Sequence, residues 1–133
     1  MDMQWFLDRD PFARMLGIRL IEAGPGYAKT AMDIADNLKN GAGIAHGGAV
    51  FTLADLAFAI ASNSHGKLSL AVAAAISYVK AGTGTLYAEA REVSLGPRMG
   101  TYAIAITNDA GEAVAAFQGT VYRKDTPYTK ETA

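Results

Sequence analysis

Residues 49–61 read Ala-Val-Phe-Thr-Leu-Ala-Asp-Leu-Ala-Phe-Ala-Ile-Ala, and this stretch decides the fold of the chain. It follows directly on His46, Gly47 and Gly48. Eleven of its thirteen residues are apolar, and Asp55 carries its only charge. A helix that is apolar on nearly every side belongs in a protein interior, where an unpaired carboxylate is costly. Asp55 is therefore the strongest lead to function in this sequence.

The composition predicts a soluble, cytoplasmic protein of one domain. Of the 133 residues, 50% are hydrophobic and 19% are charged, as is typical of an ordered globular fold. The chain contains no cysteine, which excludes disulfides, thiolate metal ligands and a cysteine nucleophile. A net charge of -1 argues against a nucleic-acid partner. We expect no membrane partner either, because there is no secretory signal pattern and the longest apolar run is too short to span a bilayer.

Before the central stretch, the sequence predicts a short helix and a hairpin. Asp10 as N-cap and Pro11 at the first helical position predict a helix over about residues 11–16. Two strands follow, from Ile18 to Ala23 and from Tyr27 to Ala35, joined by a Gly-Pro-Gly turn. The short turn favours antiparallel pairing of these two strands.

After the central helix, which we expect from about Gly48 to Asn63, the pattern becomes that of strands. Residues 70–78 alternate larger apolar with small side chains, and further strands are predicted at residues 85–93, 101–107 and 113–122. Short connections favour an antiparallel meander. We therefore predict an α+β domain over residues 1–133, in which a five- or six-stranded antiparallel sheet wraps one long helix. The polar tail, about residues 124–133, is expected to fray.

The start of the central helix is a candidate oxyanion site. The first amides of a helix lack internal acceptors and lie at the positive end of its dipole. Gly47 and Gly48 leave these amides unshielded, so a substrate carbonyl can approach them closely. The simpler alternative is that the two glycines only permit a tight corner between loop and helix.

Asp55 shares one face of the predicted helix with Thr52, Ala59 and Ser62, which lie at helical spacing from it. The small side chain of Ala59 leaves room for substrate or water, and we expect Gly48, Thr52, Ala59 and Ser62 to contact the substrate. Thr52 has the alternative of bonding to its own backbone. Asp55 itself has the alternative of a structural carboxylate, although amides in mid-helix are already committed to the helix.

Spacing along the helix limits how Gly47 and Asp55 can work together. They are eight residues apart, which is about 12 Å along a straight helix at 1.5 Å per residue. One reacting carbonyl cannot touch both groups at that distance. If both act on the same carbonyl, they must come from two copies of the chain across a two-fold interface.

Other candidate groups give weaker signals. Asn40 precedes a glycine, and this pair is first of all a turn sequence. His46 has the chemistry of a general base, but its position before a helix equally favours a capping role. His65, at the other end of the helix, is interpreted as a C-terminal cap. The two histidines are too far apart, with no nearby acidic cluster, to predict a metal site.

These residues together resemble a known family. The motif runs through Asn40-Gly41, His46-Gly47-Gly48, Leu53-Ala54-Asp55, Ala57-Phe58-Ala59 and Asn63, and the likeness extends from Asp10-Pro11-Phe12 to Phe117-Gln118-Gly119-Thr120. The chain resembles the hotdog-fold acyl-CoA thioesterases of the phenylacetic acid degradation (PaaI-type) group. The resemblance implies a hotdog fold and hydrolysis of an aryl- or other acyl-CoA.

The resemblance also implies roles for individual residues. Asp55 attacks the thioester carbon or activates water, the Gly47 amide polarises the carbonyl, and Asn40 and His46 position the water and the loop. It further implies a homodimer at minimum, and commonly a homotetramer, with no cofactor other than the CoA of the substrate. Ala59 departs from the serine or threonine that some related enzymes carry one turn after the acid, so a water-positioning residue is left unassigned there.

Two other functions stay open at this point. A hotdog hydratase or dehydratase acting on acyl thioesters needs a histidine and an acid in one site, and His46 and Asp55 are separated by the glycines. A non-catalytic acyl-CoA-binding protein would bind the thioester without turnover. Retention of an acid in the apolar helix argues against that reading.

Overall fold

The computed structural model describes residues 1–133 as one sheet with a central helix. The helices are α1 (Gln4–Asp8), α2 (Pro11–Met15) and α3 (Gly47–Ser62), and short 3-10 turns occupy Asp36–Leu38 and Asn63–His65. The strands are β1 (Arg19–Gly24), β2 (Tyr27–Asp33), β3 (Lys67–Tyr78), β4 (Thr85–Leu95), β5 (Met99–Thr107) and β6 (Ala113–Pro127). All pairings are antiparallel. The predicted hotdog arrangement, a long helix wrapped by an antiparallel sheet, is confirmed with six strands.

Helix α3 lies in the core because one of its sides is built from small residues. Val50, Ala54, Ala57 and Ala61 are at most 2% exposed, and they let the helix approach the sheet closely. On the sheet side, a Cβ added to Gly119 would lie 2.5 Å from the ring of Phe58. A glycine in β6 is therefore what allows the tip of the Phe58 ring to approach the sheet so closely.

The short elements before α3 follow their local signals. Asp10 accepts a hydrogen bond from the backbone amide of Ala13 at 3.0 Å, as expected of the N-cap of α2. The hairpin turns at Pro25 and Gly26, and Gly26 has a φ of 67°, which favours glycine. Helix α1 was not predicted, because five residues are too few to show a helical period.

The strand order differs from the predicted meander. The order is β1-β2-β4-β5-β6-β3, so β3 pairs with β6 and not with its sequence neighbours β2 and β4. Residues 79–84 join β3 to β4, and six extended residues reach about 20 Å. This exceeds the three strand spacings of about 4.8 Å each that separate β3 from β4. The short connection therefore returns the chain across the sheet, and it does not force the two strands to pair.

Strand β3 consequently lies at an edge of the sheet with exposed apolar side chains. Leu70 is 49% exposed and Val72 is 58% exposed. The sequence alternation had indicated a strand with larger apolar side chains on one face and small side chains on the other. In a single chain β3 pairs on one side only, and its other edge carries unpaired backbone groups, which form a template for another strand.

The C-terminal tail is more ordered than expected. Strand β6 continues to Pro127, so residues 124–127 belong to the sheet instead of fraying. The backbone amide of Tyr128 then donates to Gly66 O at 2.9 Å, and the Tyr128 ring lies 5.4 Å from that of Trp5. The sequence did not predict this anchoring because the tail is mostly polar and a single aromatic residue, Tyr128, provides the contact.

Candidate active site

Asp55 lies in the middle of α3 and is half-buried. Its carboxylate makes no hydrogen bond and no ion pair within the chain. Burial raises the pKa of the Asp55 carboxyl above its ordinary value, and the nearby negative charge of Asp10 raises it further. An acid that is partly desolvated and unpaired does not have the features of a structural carboxylate.

The side chain of Asp55 faces a cavity of about 280 Å³, here called the Asp55 cavity. Ala59 and Ser62, both predicted to contact substrate, line this cavity together with apolar and aromatic side chains. Ser62 donates its hydroxyl to Ala59 O at 3.2 Å, so its hydrogen is committed to the helix backbone. Two of its lining residues, Phe6 and Tyr128, were not singled out by the sequence, because they come from opposite ends of the chain.

The start of α3 presents one free amide. Gly48 N donates to His46 Nδ1 at 2.9 Å, and the amides of Ala49 and Val50 donate to His46 O. Gly47 N–H has no acceptor within the chain. It is therefore available to a substrate carbonyl at the positive end of the helix dipole.

Gly47 and Asn40 line a second cavity of about 390 Å³, here called the Gly47 cavity. Asn40 Oδ1 accepts from the amides of Ala42 and Ile44 at 2.9 and 3.3 Å. This fixes the loop before α3, which agrees with the turn expected from Asn-Gly. The side-chain oxygen of Asn40 is committed to the loop, and its amide nitrogen makes no hydrogen bond within the chain.

Tyr78 belongs to the same cavity and was not picked out as a site residue. Its hydroxyl donates to Gly47 O at 3.0 Å, and a Cβ added to Gly47 would lie 3.4 Å from the ring. The available signal was its place as the last large residue in the alternating strand. Its contact with Gly47 links the end of β3 to the start of α3.

His46, Gly48 and Thr52 line a third cavity, of about 410 Å³, beside α2. The His46 Nδ1 atom accepts from Gly48 N and thereby caps α3. Thr52 Oγ1 donates to Gly48 O at 2.8 Å, which is the backbone alternative considered for this residue. None of these three residues lines the Asp55 cavity.

The two candidate halves of the site thus stay apart within one chain. Gly47 and Asp55 belong to one continuous helix, and they line different cavities. A rigid helix holds its first residue and its ninth residue about 12 Å apart. A single chain does not bring the acid and the free amide to the same point.

His65 differs from its predicted capping role. The left-handed residue after α3 and its 3-10 turn is Gly66, with a φ of 80°. Instead, the Nε2 atom of His65 lies 2.7 Å from Glu92 Oε1. The hydroxyl of Tyr102 donates to the same carboxylate oxygen at 2.6 Å. These hydrogen bonds lower the pKa of Glu92, although burial opposes them.

No group of three His, Asp or Glu side chains is placed to hold a metal ion. None of the helices has the length and apolar character needed to cross a bilayer.

Comparison with known proteins assigns the family. The model of the Thioesterase superfamily matches residues 42–115, which is more than half of the chain and includes α3. The acyl-coenzyme A thioesterase PaaI of Escherichia coli is 37% identical over 118 residues, covering 87% of this chain and 84% of that protein.

Solved structures agree with this assignment. The E. coli PaaI structure, from the phenylacetic acid degradation operon, has a TM-score of 0.91 at 35% identity, covering 95% of this chain and 93% of that one. A variant of PaaI from Thermus thermophilus has a TM-score of 0.83 at 38% identity, covering 86% and 100%. A Streptococcus mutans protein bound to acetyl CoA has a TM-score of 0.79 at 26% identity, covering 84% and 91%. The chain therefore belongs to the Thioesterase superfamily and is a thioester hydrolase with the hotdog fold.

Proposed function

We propose that this protein hydrolyses acyl-CoA thioesters at a site shared by two subunits. The observation that carries the proposal is that Asp55 and the Gly47 amide each lack a partner within their own chain. A thioester placed between Asp55 of one subunit and Gly47 of a second subunit accepts a hydrogen bond from the Gly47 amide at its carbonyl oxygen and presents its carbonyl carbon to Asp55 or to a water held by Asp55. The name of E. coli PaaI and the acetyl CoA bound to the S. mutans protein support CoA as the thiol part of the substrate.

In the proposed chemistry, negative charge develops on the carbonyl oxygen next to a hydrogen-bond donor. The Gly47 amide donates to the carbonyl oxygen as negative charge develops there. The Asp55 carboxylate either removes a proton from the attacking water or attacks the thioester carbon to form a mixed anhydride that water then hydrolyses. Both routes release the free acid and CoA, and both require Asp55 to be ionised.

Asn40 and His46 support this site by fixing backbone. Asn40 holds the loop that precedes α3, and His46 holds the first turn, so that the Gly47 amide keeps its orientation. A dehydratase would need His46 as an acid or base. Its Nδ1 atom already accepts a backbone hydrogen bond, so no observation favours that alternative.

The edge of the sheet supports a homodimer as the minimal active species. Strand β3 combines an unpaired edge with half-exposed Leu70 and Val72, and it leads to Tyr78 beside Gly47. Pairing of β3 with a second copy would cover this surface. A homotetramer, the absence of a cofactor and a cytoplasmic location stay predictions.

The activity test measures thiol release from a panel of aryl- and fatty acyl-CoA esters by wild type and by Asp55→Asn. Hydrolysis by wild type that the substitution abolishes supports the proposal. Binding without turnover would favour the acyl-CoA-binding alternative, and full activity of Asp55→Asn would overturn the role of the acid. Label found in Asp55 after a single turnover in ¹⁸O-water identifies the anhydride route, because the oxygen enters Asp55 only when water attacks the Asp55 carbon of the anhydride.

The shared site has its own test. Asp55→Asn and Asn40→Ala chains, each inactive alone, are mixed and their heterodimers purified with two different tags. One site in each such dimer contains both intact halves, so part of the activity returns if the site is shared. Heterodimers as inactive as the parents would show that each site lies within one chain.

A further inference from the structure

The Asp55 cavity suits the acyl part of the substrate and not the CoA part. Eight of its twelve lining residues are hydrophobic, and none is a lysine or an arginine. Phosphate groups require cationic or amide partners, which this cavity lacks. Lys80 lines the Gly47 cavity, where its ammonium group is paired with the Glu112 carboxylate. The Asp55 cavity therefore fits the acyl end of an acyl-CoA and not its phosphate groups.

The cavity extends along α3 away from the start of the helix. Ala59 and Ser62 follow Asp55 on the same face, and Ser62 lies about 10 Å beyond Asp55 at 1.5 Å per residue. At the far end, two lining residues are tied together by a pair of hydrogen bonds, in which Asn63 Nδ2 donates to Ser69 O at 3.1 Å and Ser69 N donates to Asn63 Oδ1 at 2.9 Å. An acyl group that extends from Asp55 along α3 therefore meets fixed groups at that end.

Two aromatic residues complete this far end. Tyr128 is fixed there because its backbone amide bonds to Gly66, just beyond α3. The ring of Phe6 meets the ring of Tyr128 edge to face at 6.0 Å, and Trp5 supports both rings at 5.8 and 5.4 Å. Both Phe6 and Tyr128 line the cavity.

We propose that Phe6 and Tyr128 form the floor of the acyl pocket and determine the size of acyl group that is accepted. The proposal rests on the proposed acyl-CoA hydrolysis and goes on to name its specificity-determining residues. An apolar cavity of about 150 Å³ holds benzene. The Asp55 cavity, at about 280 Å³, has room for one ring with a short linker or for an aliphatic chain of equal volume.

The test measures kcat/KM for a series of acetyl-, hexanoyl-, phenylacetyl-, dodecanoyl- and palmitoyl-CoA. Wild type favours the hexanoyl and phenylacetyl esters. Phe6→Ala opens the floor and raises the dodecanoyl to hexanoyl ratio of kcat/KM by about tenfold or more, since each methylene accommodated in an apolar pocket contributes on that scale. Phe6→Trp fills the pocket and lowers kcat/KM for phenylacetyl-CoA by about tenfold.

The matched control is Gln4→Ala on the same short helix. The Gln4 side chain is exposed, bonds only to Asp8, and does not line the cavity, so its substitution leaves the ratio unchanged. If Phe6→Ala loosens α1, as judged by its melting temperature, Tyr128→Leu opens the same floor from the other chain end. A size preference that moves to longer acyl groups in Phe6→Ala and to shorter ones in Phe6→Trp also distinguishes a change in pocket size from a general loss of stability.

The outcomes distinguish this proposal from the proposed hydrolysis. Asp55-dependent turnover whose size preference is the same in wild type, Phe6→Ala and Phe6→Trp overturns the floor and leaves the hydrolysis intact. Absence of turnover with every ester overturns the hydrolysis. In that case the affinities of the same esters for Asp55→Asn, measured by calorimetry, test the floor directly. Affinities that decrease for esters above the size limit, and that change when Phe6 is substituted, support the floor. Affinities that do not change when Phe6 is substituted overturn it.

Discussion

Substitution of Asp55 by Asn is expected to abolish activity and to stabilise the protein at the same time. Asn keeps the shape of the side chain and removes its charge. The carboxylate accepts no hydrogen bond within the chain, so its removal leaves no donor unsatisfied. A carboxylate kept for structure would give the opposite result, with a loss of about 1–3 kcal/mol from its abandoned partners.

The size of the stability gain follows from partial burial. Full desolvation of an unpaired ion costs several kcal/mol. Asp55 is only half-buried and its oxygens retain solvent contact, so we expect a gain in the free energy of unfolding of about 1 kcal/mol after allowance for screening. For a chain of this length, that corresponds to a rise in melting temperature of roughly 3–5 °C.

The pH dependence of the gain provides an internal check. The pKa of Asp55 is raised in the folded state, so the ionised carboxylate is unfavourable above that pKa. As the pH falls through it, the wild-type carboxylate takes up a proton and the cost disappears. The advantage of Asp55→Asn is therefore present near neutral pH and absent below the ordinary aspartate pKa of about 3.9.

The measurements are thermal unfolding at several pH values and thiol release from an acyl-CoA ester that wild type hydrolyses. We expect kcat to fall by about a hundred- to ten-thousand-fold, the range for loss of a general acid or base. A variant that melts several degrees lower and retains its activity would refute the reasoning, because Asp55 would then be structural.

Three further predictions concern the cap, the pH profile and the helix–sheet contact. His46→Ala lowers the free energy of unfolding by about 1 kcal/mol, and His46→Asn restores both melting temperature and kcat, because the cap needs only an acceptor for Gly48 N–H. A kcat that stays low at restored stability would assign His46 to the chemistry. Because the pKa of Asp55 is raised and protonation inactivates the carboxylate, kcat/KM should begin to fall with decreasing pH while the pH is still above the ordinary aspartate pKa range. A decrease in kcat/KM that begins only near pH about 4 contradicts this prediction. Gly119→Ala places a methyl group 2.5 Å from the Phe58 ring and costs about 1–3 kcal/mol in urea unfolding. Phe58→Leu in the same chain should recover part of that cost. If Gly119→Ala costs as much in the Phe58→Leu protein as in wild type, the Phe58–Gly119 contact is not the cause of the loss.

The features that the sequence predicted well depend on local rules. The start of α3 followed from glycines behind a capping residue, and the separation of Gly47 from Asp55 followed from the fixed rise of a helix. The cap at Asp10 and the turn at Gly26 follow from backbone chemistry within a few residues. Such features need no knowledge of the rest of the molecule.

The features that the sequence did not predict depend on how distant segments meet. Strand β3 lies beside β6, and the connection of six residues between β3 and β4 would permit either this arrangement or direct pairing of β3 with β4. Phe6 and Tyr128 stand near opposite ends of the chain, and only the folded structure brings them to one cavity. Thr52 shares a helical face with Asp55, but its bond to Gly48 directs it to a different cavity.

The proposed requirement for a second subunit follows from the different surroundings that Asp55 and the Gly47 amide need. The Gly47 amide is free only because it belongs to the first turn of a helix, before any internal acceptor is in reach. The pKa of Asp55 is raised chiefly because the residue is partly desolvated well inside that same helix, with a smaller contribution from the negative charge of Asp10. Shortening the distance along the helix would remove one of these conditions. The fold therefore meets both conditions by placing the groups apart, and in the proposed mechanism assembly of two chains is the step that brings the acid and the amide to one carbonyl.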